Sequence, residues 1–484
     1  MLEKIKNDKY LKNAVILLSA LTIIRLIISA FVGLDGGPAY YAMWSTRLEL
    51  SYFDHPLMSS TLVRLSTEIF GWNSFAIKFP GIMCYLITSI FLYKTVKELN
   101  GSSKGAFYAT AIFNFIPWIA SSFGIKALTP DIPFLMFYLM SFYYFVKLHK
   151  TLNPKYFYII GVIAALGIMS KYKMVFVYPA LLLAMIFEKK LHPLWKRKEL
   201  YISAFIGLLG TIPILIYNFN HDFASFQYHL VQRQGHITFV PMDFIEFLGN
   251  QIAIMGIFVP IMLFAYFFKQ RKTETGKLIF YFIAPAVFIF SFTNIFFGKS
   301  MQNWWASVYL ILLCLYGTKE QFGKFDKFVL RFTVFVTIVG TTFYLHPFGV
   351  KLKQSSNFLD HHLFDNAAED LSDIIKSYEE QNKPVYIGTP RYRTTAMLNV
   401  YMPEQKIYSM DYRKGDQFQL WYPSQELIGK NVIYFRGGSQ LKQTPEKIFK
   451  YDNVKLIKKT THVYNSKFQR DFYFYEIENY QGLK

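Results

Sequence analysis

Asp35, Arg47, Asp54, His55, Asp131, Lys171, Lys173, His221, Asp222, His236 and Lys299 all fall at the ends of long apolar runs or in the segments between them. Carboxylates, imidazoles and lysines gathered at one water-facing rim can deprotonate a hydroxyl, hold a metal ion and grip a phosphate. Each taken singly has a plainer reading, because a charged residue at a span end is ordinarily a solvated or snorkelling anchor. Tyr40, Tyr41 and Trp304 are equally double-edged, serving as an interfacial aromatic belt or as a platform for a sugar. Arg25 and Lys78 lie inside apolar runs, where ionisable side chains are costly and are functional candidates or internally paired. The chemistry depends on whether these residues share one side of a membrane.

The elements that must position them are apolar. Of 484 residues, 53% are apolar, 17% are charged and 19% are aromatic, including 50 Phe and 35 Tyr. That is too apolar for an ordinary soluble enzyme. Eleven runs read as helical spans: 14–33, 75–93, 105–123, 132–146, 156–169, 174–187, 201–217, 244–268, 278–297, 304–316 and 328–348. Several fall short of the roughly 20 residues of a full crossing, with flanking aromatics to extend them. The stretch 156–187 is interrupted by SKYK, and the basic segments on either side of it require a turn at 170–173. With the N-terminus inside, the inner segments carry 22 Lys and Arg and the outer segments 7. This bias places the listed polar residues on the outer, non-cytoplasmic side. The net charge of +20 follows from topology, so nucleic acid is not an expected partner. The cysteines, Cys84 and Cys314, sit in apolar runs and imply no disulfide framework. The first run lacks a small-residue cleavage site and reads as a retained span.

The composition changes after about residue 349. Residues 349–484 hold 20 basic and 16 acidic residues and no membrane-length run. A helix-like DNAAEDLSDIIKSYEEQ leads into PVYIG, TTAMLNVYM, KIYSM, NVIYF and RDFYFYEI, an alternating α and β pattern. The expected organisation is a polytopic α-helical membrane domain, 1–348, with outer loops 34–74 and 218–243. A small α/β extracytoplasmic domain, 349–484, follows it.

Several segments carry a resemblance in order along the chain. They are AYYAMWSTRLELSYFDHPLMSSTLVRLSTEIFG (39–71), LTPDIPFLMF (128–137), SKYKMVFVYPALLL (170–183), IYNFNHDFASFQYHL (216–230), SMQNWWASVYL (300–310), YRTTAMLNVYMPEQKIYSM (392–410) and QFQLW (417–421). Together they resemble the polytopic lipid-linked-sugar glycosyltransferases of the GT-C class. The likeness is to bacterial members grouped with protein O-mannosyltransferases and the aminoarabinose transferase of lipid A. That family places Asp-Glu before Ala-Tyr-Tyr, where this chain has Gly37 and Pro38, and a second Pro where it has Leu57.

The resemblance implies transfer of a sugar, with inversion, from a polyprenyl-phosphate carrier. The lipid tail would lie between spans, and the enzyme would occupy the inner membrane of a bacterium. Such a reaction needs cations near the leaving phosphate. Arg47, Lys171, Lys173 and Lys299 are available, and the family pattern favours Arg47 and Lys171. It also needs a base for the acceptor hydroxyl, for which Asp131, Asp54 and Asp35 are candidates in that order. Tyr40, Tyr41, His55, Tyr172 and Trp304 complete the expected substrate contacts. Asp54, His55 and His221 offer ligands of the kind zinc or manganese accepts. Adjacent ligands lack the spacing of a metal motif, which favours a metal-free site. Lipid A is the expected acceptor and protein hydroxyls the second. A lipid-linked-sugar transporter is the alternative from another class, but it would show repeated halves with polar helices near the midplane. A relative that binds the lipid without catalysis is a third reading, raised by Gly37-Pro38.

Overall fold

The computed structural model describes residues 2–124, 128–232, 239, 241–297, 301–345, 360–411, 415–437, 444–464 and 468–484. His236 and Lys299 lie outside the described residues, as does the expected domain boundary near 349.

Every one of the eleven apolar runs contains helix, and the helix ends follow local chemistry. Asp8 caps Lys9–Phe31 by accepting from the Tyr10 and Leu11 N–H groups, and the Asn73 side chain caps Ser74–Glu98 from the Ala76 N–H. Ser102 does the same for Ser103–Phe115. Among the described residues, five helices are long and apolar enough to cross a membrane: Lys9–Phe31, Ser74–Glu98, Asp131–Thr151, the stretch Lys198–Asn220, and Glu274–Phe297. Pro241–Ile254 and Phe258–Gln270 form a further pair, bent by 108°. Lys155–Ile168 and the 172–187 stretch are shorter apolar helices. The run 105–123, expected as one span, is broken at Ile116 into Ser103–Phe115 and Pro117–Gly124. Pro117 cannot donate a backbone N–H to the preceding turn, so the helix stops there.

The short run at 304–316 has a different explanation from flanking extension. Every residue of Ala306–Tyr316 is buried, so this helix is apolar all round because protein surrounds it. It approaches Ser103–Phe115 so closely that a Cβ on Gly105 would lie 1.9 Å from the Gly317 carbonyl oxygen. Only glycine fits there.

Ionisable residues inside the spans serve the backbone. Lys78 donates to the Val32 and Gly33 carbonyls at the end of Lys9–Phe31. Arg25 donates to the Asn114 side-chain oxygen at 3.0 Å and lies 4.4 Å from the centre of the Tyr85 ring. The break at Ile116 leaves carbonyls that hydrocarbon would not satisfy. Side chains from three other helices supply donors: Tyr85 Oη to Phe113 O (3.1 Å), Arg25 to Asn114 O (3.5 Å) and Thr337 Oγ1 to Phe115 O (2.6 Å).

The C-terminal part forms a five-stranded sheet of order β2-β1-β3-β5-β4, built from Tyr386–Thr389 (β1), Ile407–Ser409 (β2), Val432–Gly437 (β3), Asn453–Tyr464 (β4) and Phe468–Glu478 (β5). β1 runs parallel to β2 and β3, and the β3–β5 and β5–β4 pairs are antiparallel. Helix Asp360–Glu379 covers one face, with Phe364 against Phe435 and Phe472. TTAMLNVYM belongs to helix Tyr392–Tyr401, the crossover between the parallel strands β1 and β2. This helix packs on Gly36–Met43 of the loop 34–74, and the apolar core runs continuously from the bundle into the sheet.

Candidate functional site

The loop 34–74 is built rather than slack. Helix Gly36–Met43 presents Tyr40 and Tyr41, and residues 51–56 close a tight turn with Tyr52 N–H donating to His55 O at 3.1 Å. Trp44 stacks on Tyr52 with centroids 4.5 Å apart, and the Tyr52 hydroxyl donates to Trp44 O, which holds the turn against the helix. Next, Met58 N–H donates to Met169 O at 2.9 Å. That bond joins the Asp54 turn to the end of Lys155–Ile168, immediately before the 170–173 turn. The two segments meet on one side.

At the 170–173 turn the chain leaves one helix and re-enters a 3₁₀ segment, Tyr172–Phe176, before Val177–Phe187. Lys171 Nζ lies 2.6 Å from Asp131 Oδ1, with side chains only 5% and 9% exposed. Asn303 Nδ2 donates to the other carboxylate oxygen at 2.7 Å. A buried pair with both oxygens engaged is a held arrangement, since burial alone would disfavour both charges. Lys173 adds a second cation near Asp131 and packs its ammonium 4.0 Å from the Trp304 ring centre and 5.0 Å from that of Phe290.

A second pole surrounds Asp54. His229 Nε2 lies 2.6 Å from the Asp54 carbonyl oxygen, and the rings of His55 and His229 are 5.9 Å apart. Tyr172 bridges the poles: its ring meets His229 edge-on at 5.3 Å, and its hydroxyl shares a 2.8 Å hydrogen bond with Ser225. Tyr41 also lies between them. Burial raises its phenol pKa well above the ordinary value, and the nearby Asp54 and Asp131 carboxylates raise it further.

Of the residues singled out in the sequence, Asp131, Lys171, Lys173, Trp304, Asp54, His55, Tyr40, Tyr41 and Tyr172 come together. Others do not. Arg47, expected to grip phosphate, is 57% exposed, lies 3.7 Å from Glu49 and sits over Trp421. Asp35 stands at the head of Gly36–Met43 near Lys78 and Arg393, cations that already answer its charge. The metal trio does not form. His221 stacks on Tyr217 at 4.1 Å and places Nδ1 2.8 Å from Tyr217 O, and among the described residues no three His, Cys, Asp or Glu side chains are arranged to hold a metal.

Sequence reasoning missed Asn303, Ser225, His229, Asp416 and Gln417. The last two belong to the C-terminal domain. Asp416 is fully buried, caps the Phe418 and Gln419 N–H groups and accepts from Ser409 Oγ at 2.6 Å. Burial pushes its carboxyl up to about 7, with Asp411 and Asp54 adding to the rise. Gln417 reaches into the loop 34–74, where its side-chain oxygen accepts from the Phe53 N–H. The only available signal was an Asp ahead of QFQLW, an N-cap pattern that gives no hint of a partner so far back in sequence.

A family model described as dolichyl-phosphate-mannose-protein mannosyltransferase matches residues 54–217, the stretch that opens on Asp54 and contains Asp131, Lys171 and Lys173. The solved structure of ArnT from Cupriavidus metallidurans bound to undecaprenyl phosphate superposes with a TM-score of 0.64 at 12% identity, covering 95% of this chain and 97% of that one. The chain has the GT-C glycosyltransferase fold. The archaeal oligosaccharyltransferase AglB from Archaeoglobus fulgidus shares the GT-C likeness more distantly, with a TM-score of 0.50 at 11% identity over 86% of this chain and 69% of that one. The lipid A galacturonosyltransferase RgtD of Rhizobium johnstonii is 22% identical over 317 residues, which cover 62% of this chain and 63% of the relative. The curated match thus spans less than two thirds of its relative, whereas the GT-C superposition extends over the helical bundle and the C-terminal sheet together.

Proposed function

We propose that the chain is a membrane glycosyltransferase moving a sugar from a polyprenyl-phosphate carrier to an envelope acceptor such as lipid A, on the outer face of the cytoplasmic membrane. The observation that carries this reading is the meeting of two poles on one rim: a cationic pole, Lys171 and Lys173, and an acidic turn at Asp54, joined through Met58–Met169 and Tyr172. The fold of ArnT, solved with undecaprenyl phosphate, and the likeness to a lipid A galacturonosyltransferase support it. So does the basic bias of the segments expected to face the cytoplasm, which favours an N-terminus inside and a sheet domain outside.

In this reading the acceptor oxygen attacks the anomeric carbon as the bond from that carbon to the phosphate oxygen breaks. The polyprenyl phosphate leaves with its developing charge facing Lys171 and Lys173. The hydroxyl proton passes to a carboxylate. Asp54 suits that role better than Asp131, reversing the order drawn from sequence. Both Asp131 oxygens are already committed, to Lys171 and Asn303, so Asp131 orients the cation instead. A transporter would keep its polar groups for cargo near the midplane; here the intramembrane Arg25 is spent on a helix break.

A second acceptor, a protein hydroxyl, is favoured by the mannosyltransferase description of the family model. One experiment separates them. Deleting the gene and weighing envelope components by mass spectrometry should show lipid A losing one sugar. Loss confined to glycopeptides selects the protein acceptor, and an envelope unchanged in both overturns the reading.

A further inference from the structure

We propose that Gln417, carried by the C-terminal domain, is a positioning residue that holds the Asp54 turn in working geometry, so that the transfer site is completed by the outer domain. This rests on the transferase reading above.

The Gln417 side chain is fully buried and reaches out of its own domain. Its Oε1 accepts from the Phe53 N–H at 2.7 Å and from the Tyr217 hydroxyl at 3.0 Å. Its own N–H donates to Tyr40 Oη at 2.8 Å. One residue therefore binds the Asp54 turn, the helix Ile212–Asn220 and the tyrosine helix Gly36–Met43. On the far side of Asp54, His229 holds the Asp54 carbonyl oxygen. The Tyr52–Phe53 peptide and the Asp54 carbonyl are thus both fixed by segments remote in sequence, which sets where the backbone presents the Asp54 side chain. The Phe53 ring is fitted the same way. It lies against Gly415, where a Cβ would come within 3.0 Å of the ring, and 4.9 Å from the centre of the Tyr228 ring.

Simple adhesion between domain and bundle is provided elsewhere. Trp72 Nε1 donates to Val400 O at 2.9 Å, and Trp421 Nε1 to Glu49 Oε1 at 2.5 Å. Neither bond involves the Asp54 turn, so Trp72→Phe is a control that weakens docking alone.

The test uses the full chain reconstituted in lipid with a polyprenyl-phosphate-sugar donor. Gln417→Met keeps the side-chain volume and removes the acceptor. Because a displacement of about 1 Å in reacting geometry costs up to ~100-fold, kcat should fall at least about tenfold, with the donor KM within about twofold. Hydrogen–deuterium exchange should quicken in the peptide spanning 52–58, while Trp72→Phe changes neither. Unaltered kcat in Gln417→Met overturns this proposal alone. So do equal losses of melting temperature and kcat in both variants, because the contact would then be adhesion only. A wild-type chain that transfers no sugar overturns the transferase reading and this proposal with it.

Discussion

Arg25 and Lys171 are both buried cations, yet they are buried for different reasons. Arg25 meets an amide, a carbonyl and a phenol ring, all at the point where Pro117 interrupts a helix. Lys171 meets a carboxylate, beside a second lysine, at a turn joined to the Asp54 loop. An ionisable side chain inside a span is a functional candidate by default. The difference between these two shows that the partner decides. Where the neighbours are orphaned backbone carbonyls, the charge stabilises the fold. Where the neighbours are other titratable groups, the charge belongs to a cluster with a carboxylate and a second amine.

That contrast breaks first at the rim. Asp54→Asn should lower sugar transfer by about 10²–10⁴-fold, the range general-base removal typically covers. Lys171→Ala should abolish transfer and also destabilise by about 3–5 kcal/mol, since Asp131 is left buried without its cation. Transfer assays and thermal unfolding on the same preparations check both, and full activity in either variant removes that residue from the site. Arg25→Leu is the complementary case. Losing a buried charge-assisted hydrogen bond costs about 1.5–3 kcal/mol, so the melting temperature should drop while kcat of the folded protein stays at the wild-type value. A kcat loss without a melting shift would make Arg25 part of the site.

A smaller effect sharpens the comparison through pH. Asp416 is raised from an ordinary 3.8 to about 7 in the folded protein. Between these values the folded chain keeps a proton that the unfolded chain has released. Stability therefore falls as pH rises from about 4 to about 7 and is level above that. Asp416→Asn should flatten this slope in melting curves, and a slope that persists assigns the titration elsewhere. The smallest effect is expected at Arg47. It is largely exposed and paired with Glu49, so Arg47→Ala should change transfer by less than about tenfold, as for a surface pair worth roughly 1 kcal/mol at most. A larger loss would return Arg47 to the phosphate.

Much of the scaffold was legible because hydrophobicity and capping act over a few residues. The apolar runs, the turn at 170–173 and the change of composition near residue 349 are local patterns, and the described helices and strands follow them. The break at Pro117 was also written locally, in a residue that cannot donate. Its consequence, three carbonyls answered by Tyr85, Arg25 and Thr337, was not, because those donors come from separate helices.

For the site, residue types alone pointed to a membrane bundle with carboxylates and amines at the ends of its apolar runs, because charge is costly in hydrocarbon. Only tertiary packing decided which of them meet. It paired Asp131 with Lys171, turned Arg47 toward Glu49, took His221 out of the metal trio in favour of Tyr217, and brought Asn303, His229 and Gln417 in from distant segments. Hydrogen bonds reach about 3 Å, and no spacing along the chain encodes which remote side chain will arrive within that distance.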